Sequence, residues 1–106
     1  MKPRYDHHTL MRFTQELLSA AGMEKDKALT VSEIMLEGDL MGHTTHGLQM
    51  LIPYLKSIEA GAMTLEGDYL IEQDHGSNLV LNGRFLPGPW LVCEAITLAA
   101  ERVASA

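Results

Sequence analysis

The sequence contains a single cysteine, Cys93, so it can form no internal disulfide. One unpaired thiol fits a reducing compartment, and the cytoplasm is the expected location. The opening residues, Met-Lys-Pro-Arg-Tyr-Asp-His-His, lack the apolar run of a signal peptide. No apolar stretch approaches the ~20 residues that a bilayer-spanning helix needs, so no membrane is expected as a partner. Basic residues are scarce: 8 Lys and Arg stand against 14 Asp and Glu, a formal net charge of -6. Without a basic stripe to displace phosphate counterions, nucleic acid is not an expected partner either. The acidic residues are dispersed, which reads as solvated surface rather than an acidic tail. Low-complexity tracts and internal repeats are missing too.

What remains is a chain of 106 residues that is 46% hydrophobic. That length fits one domain and can fill a core, although a small chain buries a smaller share of its surface than a large one. Over residues 8–21, Leu10, Phe13, Leu17, Leu18 and Ala21 recur at helical spacing. Gly22 supplies the stop. A second helix is expected over 24–41, with Ala28, Val31, Ile34 and Met35 as its buried stripe and Gly38 as a weak point. Lys25 and Lys27 are expected to face water. Gly42 ends that helix, and Thr44 or Thr45 is placed to cap the next. The third helix would bury Leu48, Leu51, Ile52, Leu55 and Ile58 before Gly61. Pro53 leaves two alternatives: a kinked helix, or a looser turn over 47–52 with the regular helix starting near Pro53.

Residues 61–68 read as a connection, 69–73 and 78–82 as strands, and 74–77 as the turn between them, giving an antiparallel hairpin. A hairpin alone is marginal in water, so it should extend a larger sheet or pack on the helices. Pro89 suits the first turn of a last helix reaching Val103, with Trp90, Leu91, Val92, Ala95, Ile96 and Ala99 as apolar positions. The closing Ala104-Ser105-Ala106 has no cap and no following element, which reads as a truncation. The expected fold class is α+β: three N-terminal helices, a short antiparallel strand pair and a C-terminal helix.

The densest chemistry lies in Asp39-Leu40-Met41-Gly42-His43-Thr44-Thr45-His46-Gly47. Three readings are open from the residues alone. Asp39, His43 and His46 have the i, i+4, i+7 spacing of one helical face and types that zinc accepts, but Gly42 interrupts the helix and a fourth ligand is missing. A structural reading makes His43 and Asp39 shapers of the helix junction, with His7, His8 and His75 as surface residues. In the third reading His46 works in acid–base catalysis, since a histidine titrates near pH ~6.5. An apolar last helix also allows a non-catalytic interaction domain.

The stretch Glu-Ile-Met-Leu-Glu-Gly-Asp-Leu-Met-Gly-His-Thr-Thr-His-Gly-Leu-Gln-Met-Leu-Ile-Pro-Tyr-Leu-Lys-Ser-Ile-Glu-Ala-Gly, residues 33–61, resembles the N-terminal signature of the malate/L-lactate dehydrogenase family. This is the non-classical type, which includes ureidoglycolate dehydrogenases and cyclic imino-acid reductases. The resemblance extends through Met63 to Asn82-Gly83 and Leu86-Pro-Gly-Pro-Trp. It covers nearly the whole chain but only the N-terminal part of the family's longer one. It implies a fragment of a larger α/β dehydrogenase fold and NAD- or NADP-dependent interconversion of 2-hydroxy and 2-oxo acids. By the same resemblance His46 is the acid–base residue and Thr45 its orienting neighbour. No metal is implied. The family's cofactor-binding residues lie beyond this chain, so none is assigned to it. Many members place an arginine for the substrate carboxylate four residues after the histidine, whereas this sequence has Met50. A homodimer, or pairing with a missing C-terminal chain, is the expected assembly, and the chain alone is expected to be inactive.

Overall fold

A computed structural model describes residues 5–43 and 47–105. Helix α1 spans His7–Ala20, α2 Lys25–Leu40 and α3 Leu51–Glu59, the last preceded by a 3-10 turn at Leu48–Met50. Strands β1, Leu70–Asp74, and β2, Leu79–Asn82, form an antiparallel pair, and α4 runs over Gly88–Ser105. The α+β arrangement read from the sequence is therefore the one observed, with element ends shifted by one or two residues.

Helix α1 begins where the Asp6 carboxylate accepts bonds from the Thr9 amide and hydroxyl, both at 2.9 Å. That satisfies one of the first-turn amides left open in any helix. It ends at Gly22, whose φ of +107° is a left-handed conformation that glycine adopts without penalty. The main core lies between α1 and α2, where Leu18, Ala28 and Val31 are fully buried, and Leu51 of α3 joins it. Two hydroxyls share that core. Thr14 Oγ1 donates to the Leu10 carbonyl at 2.8 Å, and Ser32 Oγ donates to the Ala28 carbonyl at 2.7 Å. Each thus reaches the preceding turn of its own helix, and its burial leaves no unmet polar atom.

Four residues depart from their expected surroundings. Phe13 is 56% exposed and Ile52 is 62% exposed. Both sit at the margin of their helix's apolar stripe, outside the cluster of residues that forms the core. Lys27 is the opposite case, 2% exposed where solvent was expected. Its Nζ lies 3.0 Å from Glu24 Oε1 and 4.1 Å from the centre of the Trp90 ring, with Trp90 itself buried. The ammonium is paired on one side by a carboxylate and on the other by an aromatic face, which is what a buried charge requires. Glu24 Oε1 also accepts from the Gly67 amide at 3.1 Å. Beside Lys27, with that amide adding to the effect, the Glu24 carboxyl is held below its usual range. His7 is half-buried rather than a surface residue, while His8 and His75 are exposed.

Pro53 is the third residue of α3, inside the first turn, where a missing amide costs little. The run bends through the 3-10 turn before it, so the looser-turn alternative is the observed one. After β2 the chain turns through Arg84 and Phe85, both with positive φ, +54° and +62°. For side chains of this kind the conformation costs about 1–2 kcal/mol per residue. Four hydrogen bonds hold the turn. The Thr64 hydroxyl and amide donate to the Arg84 and Phe85 carbonyls, the Arg84 amide donates to Asn82 Oδ1, and the Leu86 amide donates to the Gly83 carbonyl.

The Lys27–Trp90 contact should be measurable. In a double-mutant cycle of Lys27→Met and Trp90→Leu, followed by urea unfolding, the expected coupling is about 1–2 kcal/mol. A coupling within error of zero would show that the contact does not hold α4 to α2.

Candidate functional site

The chemistry-bearing stretch joins α2 to the 3-10 turn. Helix α2 ends at Leu40, and Gly42 takes a φ of +80° that turns the chain out of the helix. The Gly42 amide donates to the Asp39 carbonyl and the His43 amide to the Gly38 carbonyl. His43 therefore follows the helix end instead of continuing a helical face with Asp39. The proposed i, i+4, i+7 alignment of ligands does not exist at its first step. His43 is exposed and borders a shallow concavity with Ile34, Glu37 and Met41. Among the described residues, no group of three or more His, Cys, Asp or Glu side chains is placed to hold a metal ion.

His46 and Thr45, the residues on which the catalytic reading rests, lie outside the described residues, as does Thr44. What the structure defines is the frame on either side of them. On the far side, Gly47 is buried, and the Leu48 amide donates to Asp39 Oδ2 at 2.9 Å. This amide of the next element's first turn is thus bound by a carboxylate from the preceding helix, while the threonines expected to cap the turn, Thr44 and Thr45, lie outside the described residues. A Cβ built on Gly47 would overlap that carboxylate. The φ of Gly47 is -98°, so glycine is needed here for space and not for an unusual backbone. Sequence reasoning placed Asp39 at the junction, but a bond to a residue nine positions away leaves no periodic signal.

Met50 is half-buried against the core, packed with Leu51 and Tyr54, while Gln49 is exposed. The two neighbours point to different surroundings, and Met50 contributes packing alone.

A larger cavity lies elsewhere, between the hairpin and α4. It encloses about 650 Å³ and is walled by Leu79, Leu81, Ala95, Leu98 and Ala99, with Arg102 at its edge. Arg102 Nη2 donates to Asp74 Oδ2 at 2.7 Å and Nη1 to Oδ1 at 3.0 Å. This bidentate pair ties the hairpin to the last turns of α4. Arg102, with the Gly76 amide assisting, pulls the Asp74 carboxyl down from 3.8 to about 2. The guanidinium is thereby committed to Asp74, and the wall is mostly apolar, with Ser77 and Ser105 as its hydroxyls. Among the described residues, none is assigned to a nicotinamide cofactor.

The chain is similar to proteins considerably longer than itself. A family model for malate/L-lactate dehydrogenase matches residues 5–106. L-sulfolactate dehydrogenase of Methanothermobacter thermautotrophicus is 26% identical over 92 residues, which are 87% of this chain and 27% of that protein. Hydroxycarboxylate dehydrogenase B of Escherichia coli O157:H7 is 28% identical over 99 residues, 93% of this chain and 27% of that one. Among solved structures, malate dehydrogenase from Pyrococcus horikoshii OT3 superposes with a TM-score of 0.93 at 22% identity, covering 97% of this chain and 30% of that chain. The chain thus spans about a quarter of the length of these curated relatives. Its α+β arrangement matches the N-terminal part of dehydrogenase folds.

The Asp74 pair carries a pH signature. A carboxyl whose folded value is lowered stabilises above its unfolded value and loses that contribution as pH falls through the folded one. The hairpin–α4 tie is therefore complete above roughly pH 4 and lost towards about pH 2. Carboxyl NMR should find the Asp74 midpoint near about 2, and Arg102→Gln should return it towards 3.8. A midpoint that ignores the substitution would remove Arg102 as the cause.

Proposed function

This chain belongs to the malate/L-lactate dehydrogenase family, and on that premise we propose that it supplies the proton-handling part of an NAD(P)-dependent oxidoreductase interconverting 2-hydroxy and 2-oxo acids. The observation that carries the reading is the position of Gly-His-Thr-Thr-His-Gly. It falls at the junction between α2 and the 3-10 turn, inside the matched span, with Asp39 closing the far side. In this reading His46 gives a proton to the substrate oxygen during reduction and takes it back during oxidation. Thr45 helps to orient the ring. The hydride belongs to the nicotinamide cofactor, and no residue of this chain is assigned to bind it.

The relatives' names speak of malate, sulfolactate and hydroxycarboxylates, all small acids. We take the substrate class from them. Met50 packs on the core, so it cannot hold the acid group of such a substrate, and that group needs a cation elsewhere. The cytoplasm and a dimeric or paired assembly complete the proposal, on the strength of the single thiol and of relatives almost four times as long. No helix among the described residues is long and apolar enough to cross a membrane.

A second reading is favoured by α4, on which Val92, Ile96 and Val103 are 58%, 63% and 78% exposed. Such a face suits a non-catalytic domain that associates through this helix.

The purified 106-residue chain should show no NAD(P)H oxidation with pyruvate or oxaloacetate. Fused to the remaining three quarters of the E. coli relative it should turn over, with the rate falling ~10²–10⁴ in His46→Ala. A fusion indifferent to His46→Ala sinks the acid–base assignment. Light scattering addresses the second reading: self-association lost on Ile96→Glu supports a docking helix, and a monomer throughout counts against it.

A further inference from the structure

We propose that the outward face of α4 and the cavity beside it form one seat, and that its occupant is an apolar element from the part of the family's chain outside the matched residues. The proposal rests on the reading of this chain as one piece of a longer dehydrogenase, and it assigns that piece a docking surface.

A surface helix normally turns charge to water and apolar residues to the core. Helix α4 does the reverse on one side. Val92, Ile96, Ala99 and Val103 are spaced i, i+4, i+7, i+11, which places them on one stripe, and all four are exposed. The charged residues of α4 are Glu94, Glu101 and Arg102, and none falls on that stripe. Glu94 and Arg102 are half-buried, on the side that also carries Leu91 and Leu98. The spacing of the stripe is the one that packs a helix against another element, and the small Ala99 at its middle lets that element approach closely.

The stripe runs into the cavity. Ala99 and Val103 belong to both, and Leu79 and Leu81 of β2 form the opposite wall. Arg102 spans the gap, bound to Asp74 and to the Gly76 carbonyl at 3.3 Å, so the hairpin is held at a fixed distance from α4. Among the described residues, the main core includes none from the hairpin or α4. The chain is correspondingly elongated. Its extents are 53 × 30 × 21 Å and its radius of gyration is 15.5 Å, where a compact chain of this length has about 13 Å. The hairpin and α4 thus enclose apolar space that this chain does not fill.

Area decides between the occupants. From Val92 to Val103 the stripe is about 16 Å long, at ~1.5 Å per residue, and about 10 Å wide. That is far below the ~800 Å² that each partner of a stable pair buries. A second copy seated on the stripe therefore falls short. An element of the same polypeptide does not pay the cost of association, and a smaller contact holds it. Relatives almost four times as long have the chain to provide one. The element must be apolar where it meets the stripe, because a charge there would be desolvated without a partner.

The test puts a thiol on the stripe, with Cys93→Ser as background. In the purified chain, Ile96→Cys should react with a maleimide as an exposed thiol does, at a rate independent of protein concentration. In the fusion to the remaining three quarters of the E. coli relative it should react roughly 10-fold slower or more, because a covered thiol reacts only through local opening. Glu101→Cys, off the stripe, should react alike in both. Equal rates for Ile96→Cys in chain and fusion overturn the proposal, as does equal slowing of both thiols. A rate in the chain alone that falls with rising concentration makes a second copy the occupant and overturns it too. If the fusion does not fold, the cysteine goes to the aligned position of the E. coli relative itself, where an accessible thiol overturns the proposal. None of this requires turnover. A fusion that shields Ile96→Cys but is inactive, or is indifferent to His46→Ala, counts against the catalytic reading and leaves the seat standing.

Discussion

The ammonium group of Lys27 is the point on which the packing of this chain converges. It is buried between the Glu24 carboxylate and the Trp90 ring, so it joins α2 to α4. Glu24 takes the Gly67 amide with the same oxygen, which brings in the connection ahead of the hairpin. Without Lys27, Trp90 would rest on an apolar surface with no directional partner, and Glu24 would face the Gly67 amide alone. Glu24 is itself exposed, so the buried member that must not lose its partners is the Lys27 ammonium. The α1–α2 core is an ordinary hydrophobic layer. The attachment of α4 to that layer adds a charge to the apolar contacts that Met63 and Leu65 already make with the core.

Element type was legible from the sequence wherever periodicity and punctuation agreed. Gly22, Gly42 and Gly61 stop the helices where they were expected to, and the turn between the strands falls at 75–78, one residue later than expected. Side-chain environment was less legible. Thr14 and Ser32 are hydroxyl residues satisfied by their own helix, so a stripe counted from apolar letters alone omits them. Lys27 reads as solvent-facing because Glu24, three residues before it, suggests only an exposed helical pair, and Trp90, sixty-three residues after it, cannot be paired with it from spacing. Phe13 and Ile52 read as core because they are apolar, yet they fall at the stripe's edge. For the candidate site, the histidine was visible only through resemblance. Composition left three readings of the same nine residues open, and the structure then removed the helical alignment that the metal reading needed.

The junction shows how one residue can serve two elements with opposite requirements. Asp39 weakens the end of α2 electrostatically and strengthens the start of the run that follows. The net effect is to lock the direction in which the chain leaves one helix and enters the next. A glycine at 47 gives the carboxylate room, and a methionine at 50 anchors the same turn in the core. The turn at Leu48–Met50 is thus held by packing at Met50 and by a charged bond at Leu48.

The two-stranded sheet leaves an outer edge on each strand among the described residues. Such edges can template a neighbouring chain, and proteins normally blunt them. Here the blunting is modest: strands of four and five residues, a register irregularity between Ile71 and Gln73, and the acidic pair Glu72 and Asp74. Arg102 holds the Asp74 carboxyl down to about 2, so its charge and its tie to α4 persist until strong acid is reached. Mildly acidic handling therefore leaves this guard on the edge in place, and colloidal association by strand addition becomes favourable only in acid strong enough to discharge Asp74.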